Sequence, residues 1–369
     1  MSKPENPSLF GQKLALLRAL LERRGLSALR LAQQKNVSWL LGGRSHVNTA
    51  SEPACCQFVL TAGDCWLVVN NIEAERVLAE EADEGLAAAA KPLVWPWTDP
   101  ARREALVREA LNGRHVAGDG ELEEELLRLR TTVLPAELGE WRRLGRLTAD
   151  ALAETAREMR RGQSEHAVAG LLALKCRERG LEPIVNLIAA DERAFSCRHP
   201  LPTGRAVDRY AMLVVCARSQ GRIASATRLV HFGPAPADLR ARHRAVAEID
   251  ARAIAASRPG ATLGELYDQF VGFYRDAGYP GEIMHHHQGG LTGYATRERL
   301  ALPGDPFPLA DSQLLAWNPS VAGAKSEDTI LIPHAGAPEI LTLPEDGDFP
   351  VLEVKADGRI WRRPDVLVR

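Results

Sequence analysis

The chain has 369 residues, 45% hydrophobic and 25% charged, with 46 basic and 48 acidic side chains and a formal net charge of −2. That balance supports real hydrophobic cores and leaves no overall basic character to hold nucleic acid. No apolar run approaches the roughly 18 residues that span a bilayer, and the opening MSKPENPSLFGQK lacks a signal-peptide core; a cytoplasmic protein with no membrane partner is expected.

Apolar residues at helical spacing (Phe10, Leu14, Leu17, Leu20, Leu21) predict a helix over 8–24, stopped by Gly25. A short strand follows at 26–31. Strands at 57–60 and 65–69 flank Ala62-Gly63-Asp64, a hairpin signature. A helix over 72–81, a strand over 93–97, a helix opened by Asp99-Pro100, a strand over 115–118 and a helix over 121–129 complete a self-sufficient α/β unit. A domain over 1–132 is expected, of common size.

The second domain, 133–369, opens with a long helical pattern from Pro135 to about Arg161, then a helix capped by Ser164 and closed by Gly180. Strands follow at 183–189, 211–217 and 223–232, the last two joined through Arg218-Ser219-Gln220-Gly221. A helix over 237–256 stops at Pro259-Gly260. Thr262-Leu263-Gly264-Glu265 is a capping box for the next, which runs through Tyr274. Strands at 314–317, 327–332 and 339–343 and a hairpin turning at Asp357-Gly358 end the chain. The element order suggests two related halves sharing one sheet. Six cysteines (Cys55, Cys56, Cys65, Cys176, Cys197, Cys216) form no CxxC pair and read as reduced thiols. Cys197 lies two residues before His199, yet a buried, inert thiol is the simpler reading.

Most of the chemistry-bearing residues fall between His285 and Glu327. Three adjacent histidines, His285-His286-His287, precede Gln288-Gly289-Gly290. On an extended segment neighbours face opposite ways, so at most His285 and His287 share a side. Two imidazoles without carboxylates bind zinc weakly; substrate binding or acid/base work suits them better.

Ser196-Cys197-Arg198-His199-Pro200, Ser225-Ala226-Thr227-Arg228, Pro259-Gly260, Gly293, Asn318-Pro319-Ser320 and Ser326-Glu327-Asp328-Thr329 carry a resemblance through their order and spacing. The chain resembles the creatinase / Xaa-Pro aminopeptidase / prolidase / methionine aminopeptidase superfamily over nearly its whole length; Asn36-Val37-Ser38-Trp39-Leu40 extends the match into the first domain. The resemblance implies an α/β N-terminal creatinase-like domain plus an α+β pita-bread C-terminal domain. It also implies two divalent cations held by two Asp, one His and two Glu, which here fall at Val214, Ser225, Gly290, Asn318 and Glu327. Only Glu327 keeps a ligand, so no metal and no cofactor are expected: one carboxylate cannot hold a dinuclear site.

Creatinase hydrolyses a C–N bond in this fold without metals, and its substrate-loop histidine corresponds best to His199. The resemblance therefore implies His199 as general acid/base, with Glu327 or Glu298 positioning the substrate. His286, His287, Arg228, Arg297, Tyr294, Asn318 and Ser225 would line a polar cavity, an arginine forking to an anionic group. Three readings follow: a metal-independent creatinase-like hydrolase of a small C–N substrate, an inactive pseudo-peptidase binding module, and a residual Xaa-Pro dipeptidase or aminopeptidase. Family members of this type pair as homodimers, with Gly43-Arg44-Ser45-His46 placed to close over a partner's site.

Overall fold

The computed structural model describes residues 7–344, 347 and 349–369, so the first six residues of the opening segment lie outside it. The chain divides into two compact units, Met1–Arg130 and Thr131–Arg369. No described helix is long and apolar enough to cross a membrane.

The first unit begins with α1 (Leu9–Arg24). Ser8 caps it by accepting from the Gly11 N–H, and Gly25 ends it in the left-handed conformation that a side chain disfavours. Next come β1 (Leu29–Gln33), α2 (Gln34–Leu41), β2 (Pro53–Leu60) and β3 (Cys65–Asn70). The helix expected over 72–81 is a turn, α3 (Ala74–Arg76), running into a π-helical turn over Val77–Glu81. α4 (Glu84–Ala89), β4 (Lys91–Trp95), α5 (Pro100–Leu111), β5 (Ala117–Gly118) and α6 (Glu123–Thr131) follow. The five strands order as β4-β3-β2-β1-β5. The buried Asp119 carboxylate accepts from the backbone of Ala32 and Gln33 and from Asn36, pinning α2 to the sheet. In the 43–46 segment, Arg44 pairs with Glu81 at 2.6 Å and Ser45 is buried against Ser38 at 2.8 Å.

The second unit opens with α7 (Leu138–Glu158) and α8 (Glu165–Glu178), the latter capped by Ser164 as expected. β6 (Glu182–Ala190), the short α9 (Arg193–Ser196), β7 (Tyr210–Ser219) and β8 (Arg222–His231) follow. α10 (Ala237–Ala256) and α11 (Leu263–Asp276) come next, α11 starting at a complete capping box on Thr262 and Glu265. The remainder is β9 (Gly289–Thr292), β10 (Arg299–Leu300), β11 (Leu314–Trp317), β12 (Ser320–Val321), β13 (Ala324–Lys325), β14 (Asp328–Leu331), β15 (Glu339–Ile340), β16 (Val351–Ala356), β17 (Arg359–Pro364) and β18 (Val366–Val368).

These strands form two principal sheets rather than the one shared sheet expected: β18-β8-β7-β6 and β10-β9-β11-β14-β15. They meet where the Thr227 N–H donates to Glu327 O at 3.0 Å and the Ser225 N–H to Thr329 Oγ1 at 2.7 Å, without a continuous ladder. Local pattern cannot reveal such an edge, because each strand alone is apolar and buried. β18, which pairs parallel to β8, is an element that the sequence reading did not foresee.

Candidate active site

The β7–β8 hairpin supplies one wall. Its register pairs Cys216 with Ser225 and Val214 with Thr227. Side chains alternate along a strand, so Ser225 and Thr227 share a face with Val214 and Cys216. Ser225 is fully buried, and its hydroxyl donates to Cys216 Sγ at 3.2 Å. Thr227 Oγ1 donates to Glu327 Oε2 at 2.7 Å.

Glu327 is the hub of this wall. Its carboxylate takes Lys325 Nζ at 2.8 Å on Oε2 and an Arg297 guanidinium N–H at 2.9 Å on Oε1. All three are buried or nearly so. Burial by itself would raise the carboxyl of Glu327, but the Lys325 and Arg297 charges, with hydrogen bonds from Lys325 and Thr227, hold it down at about 2. The carboxylate is therefore ionised at neutral pH and already answered by two cations. Arg297 also reaches Ser225 Oγ at 3.5 Å and donates to Thr296 O at 2.6 Å.

The facing wall is a trio of imidazoles. His199, in the loop after α9, and His286 share a hydrogen bond between their Nε2 atoms at 3.0 Å, one ring donating and the other accepting. His287 stacks on His286 with ring centres 4.5 Å apart and lies 5.8 Å from His199. Residues 282–285 form a 3-10 turn rather than a strand, so the alternation argument fails there. His285 is exposed at its end, while His286 and His287 turn inward together. The loops are tied by an Arg198–Glu282 ion pair, and Gln288 Nε2 donates to His286 O at 2.5 Å. Burial, then Lys325, lowers His199; the same causes push His286 down to about 2. Burial, then Arg297, takes His287 to about 4. All three rings are neutral at pH 7.

Asn318 is buried with its N–H on Gln288 O at 3.0 Å, and its Oδ1 has no hydrogen-bond partner among the described residues. An unpaired acceptor at the position of a family carboxylate is a polar group awaiting a donor.

Three expected site residues lie elsewhere or are otherwise engaged. Arg228 follows Thr227 on β8 and faces the other way, where it donates to Asp328 at 3.0 Å and to Thr342 O. Arg363 reaches the same carboxylate at 2.7 Å and also binds Asp250, so this network is sealed in the interior. Tyr294 is buried edge-on against Trp141, its hydroxyl donating to Glu137 Oε1 at 3.1 Å. Glu298 spends Oε1 on the backbone N–H groups of Tyr294 and Ala295, stiffening the turn that carries Arg297. Cys197, expected buried, is partly exposed, with Ser196 Oγ at 3.7 Å. The sequence reading passed over Lys325 and Thr227. Lys325 stands two residues before Glu327, a spacing that places both on one face of an extended segment, and that signal was available.

The five positions that the resemblance assigns to metals do not fit a dinuclear centre. Val214 offers no lone pair, and Ser225 and Asn318 are neutral. At Gly290 an added Cβ would lie 2.1 Å from Arg299 O on the neighbouring strand, so a histidine has no room there. Glu327, the remaining carboxylate, is neutralised by Lys325 and Arg297.

The model of metallopeptidase family M24 matches residues 140–334, more than half of the chain, and that of the creatinase/prolidase N-terminal domain matches 13–161. The chain belongs to metallopeptidase family M24. Among curated proteins it is 31% identical to the agropine synthesis cyclase of Rhizobium rhizogenes over 162 residues, 41% of this chain and 40% of that protein. The chain thus matches less than half the length of this relative. Solved structures of the same fold include the X-Pro aminopeptidase of Thermotoga maritima (TM-score 0.74, 17% identity, 96% of this chain and 99% of that one). The Xaa-Pro dipeptidase of Bacillus anthracis matches likewise (0.74, 14%, 98% and 100%). So does the N-terminal domain of the FACT complex subunit SPT16 from Eremothecium gossypii (0.64, 13%, 91% and 96%). At these identities the likeness concerns the fold, which in this M24 chain carries an altered site.

Proposed function

We propose that this M24 chain is a metal-independent hydrolase acting on a C–N bond of a small, anionic substrate. One observation carries the reading: where the family would place two divalent cations, Glu327 is held by the side-chain cations Lys325 and Arg297, facing neutral imidazoles. The hydrogen-bonded His199–His286 pair supplies an acceptor and a donor at pH 7. His199 takes a proton from water as its oxygen bonds to the substrate carbon; the imidazolium returns a proton to nitrogen as the C–N bond breaks. Glu327, ionised and shielded, orients a cationic or N–H-bearing end. Arg297 and Lys325 steady negative charge on an oxygen of the substrate. Glu298 acts through the Arg297 turn and not on the substrate.

The test is turnover of guanidino, carbamoyl and N-alkylated amino acids by chelator-stripped protein. Activity that survives stripping and is lost in H199A supports the reading. Activity that appears only on adding two equivalents of Mn2+ or Co2+, or an H199A variant as fast as wild type, overturns it. Absence of turnover across the panel, with capture of a defined ligand, would favour a binding module. The curated match favours one variation, a ring closure, because that relative is named a cyclase. The same histidine pair would pass a proton from an internal nucleophile to the departing nitrogen as the ring closes and the C–N bond breaks, and a cyclic product one water lighter than the hydrolysis product would distinguish it. A homodimer remains part of this reading, to be checked by light scattering.

A further inference from the structure

We propose that His199, His286 and His287 form a binding site for a single borderline transition ion of the Zn2+ class, built from residues outside the five family metal positions. Each ring offers a nitrogen, and the three nitrogens lie within 4.8 Å of one another. Tetrahedral zinc holds imidazole nitrogens at about 2.0–2.1 Å, which sets them about 3.4 Å apart. The observed spacing, 3.0 Å for the closest pair, brackets that value, so small ring rotations suffice. His286 is only 8% exposed and its Nδ1 has no hydrogen-bond partner among the described residues; nor has Nδ1 of His287. The His286 nitrogen offered to the ion is the Nε2 that faces His199, so its Nδ1 lies on the far side of the ring. His199 is exposed and gives an ion its entry.

The frame is stiff enough to keep the rings together. The Arg198–Glu282 pair joins the two loops, and Gln288 holds the His286 backbone while its own Oε1 accepts from Tyr274. Choice of ion follows from the donors. Three nitrogens with no free carboxylate, and with Lys325 and Arg297 close by, disfavour Mg2+, Ca2+ and Mn2+, which need oxygen ligands. Imidazole nitrogens suit Zn2+, Cu2+ and Ni2+. Three protein ligands leave a fourth position open to water or an anion. Because the ion would occupy nitrogens assigned above to proton transfer, Zn2+ should inhibit that chemistry; the metal site itself does not depend on the reaction.

The experiment is calorimetric titration of the chelator-stripped full chain with ZnCl2, and separately with MnCl2, in the absence of substrate. The expected result is one Zn2+ per chain with no Mn2+ binding. Affinity should fall in H287Q and in H286Q by more than the roughly 10–100-fold typical of outer-sphere changes. H285Q, altered at the exposed neighbour, should bind as wild type, and thermal melts confirm that each variant is folded. Absence of one-to-one Zn2+ binding, or undiminished binding in a folded H287Q, overturns the proposal. Two ions per chain lost in E327Q would place the metals at the family positions and overturn it as well. Since binding is read without substrate, its failure leaves the hydrolase reading standing, and an inactive protein leaves this one standing.

Discussion

Lys325 and Glu327 are two residues apart on an extended segment, so their side chains leave it on the same side, and both are buried, 4% and 2% exposed. Breaking a buried ion pair by removing one partner strands the other charge, whereas removing both can be nearly neutral. K325M leaves Glu327 its Arg297 and Thr227 partners, whereas E327M strands both Lys325 and Arg297. E327M should therefore cost about 3 kcal/mol in urea unfolding, and K325M clearly less. If K325M were the less stable of the two, Arg297 would contribute nothing to holding Glu327. Of the residues singled out in the sequence, Ser225, Arg297 and Glu327 contact one another, and His199, His286 and His287 cluster together. Arg228 and Tyr294 were misplaced because a motif names residues without saying which face of a strand they occupy. The single step from Thr227 to Arg228 carries the side chain from the site into the Asp328–Arg363 network.

β9 is the element that most restricts this site. It is sandwiched between β10 and β11, with Gly290 opposite both Leu300 and Ala316. At Gly289, φ is +101° and an added Cβ would lie 2.0 Å from Ala316 O. Two consecutive glycines let the three strands approach this closely. G290H, which puts a histidine where the resemblance assigns one, should force β9 and β10 apart. We expect a loss of about 3 kcal/mol or insoluble protein, and no gain of Mn2+ binding in the folded fraction. A G290H variant as stable as wild type would show that β9 and β10 can part without cost. Helices were the easier elements to read, since caps such as Ser164 and Thr262 act over one turn. The 3-10 turn at 282–285 was not, and it is what turns His286 and His287 inward together.

Over the whole molecule, the site makes stability depend on pH. His286, near 6.5 when unfolded, sits at about 2 in the fold, so on acidification the unfolded chain takes up its proton first. Stability is thus lost as pH falls below about 6.5. Glu327, at about 2 against 4.5, contributes fully above 4.5 and loses its effect as pH drops towards 2. Asp250, raised by burial to about 6 from 3.8, works in the opposite sense between those values. Comparing variants removes that opposing contribution. Between pH 6.5 and 5, H286Q should flatten the fall in stability by about 1 kcal/mol per pH unit relative to wild type. Urea midpoints at several pH values measure this, and parallel profiles would mean that His286 is charged in the fold.

By itself the sequence carried the family, and the two-unit organisation as an expectation, because these depend on residue identity and order along the chain. Which side chains surround Glu327 was decided only by tertiary structure. The cations that answer Glu327 and the closeness of three histidines arise from a strand register, a 3-10 turn and the meeting of two sheets. These bring residues as much as 100 positions apart, such as Thr227 and Glu327, into hydrogen-bond contact, and local pattern carries no record of such contacts.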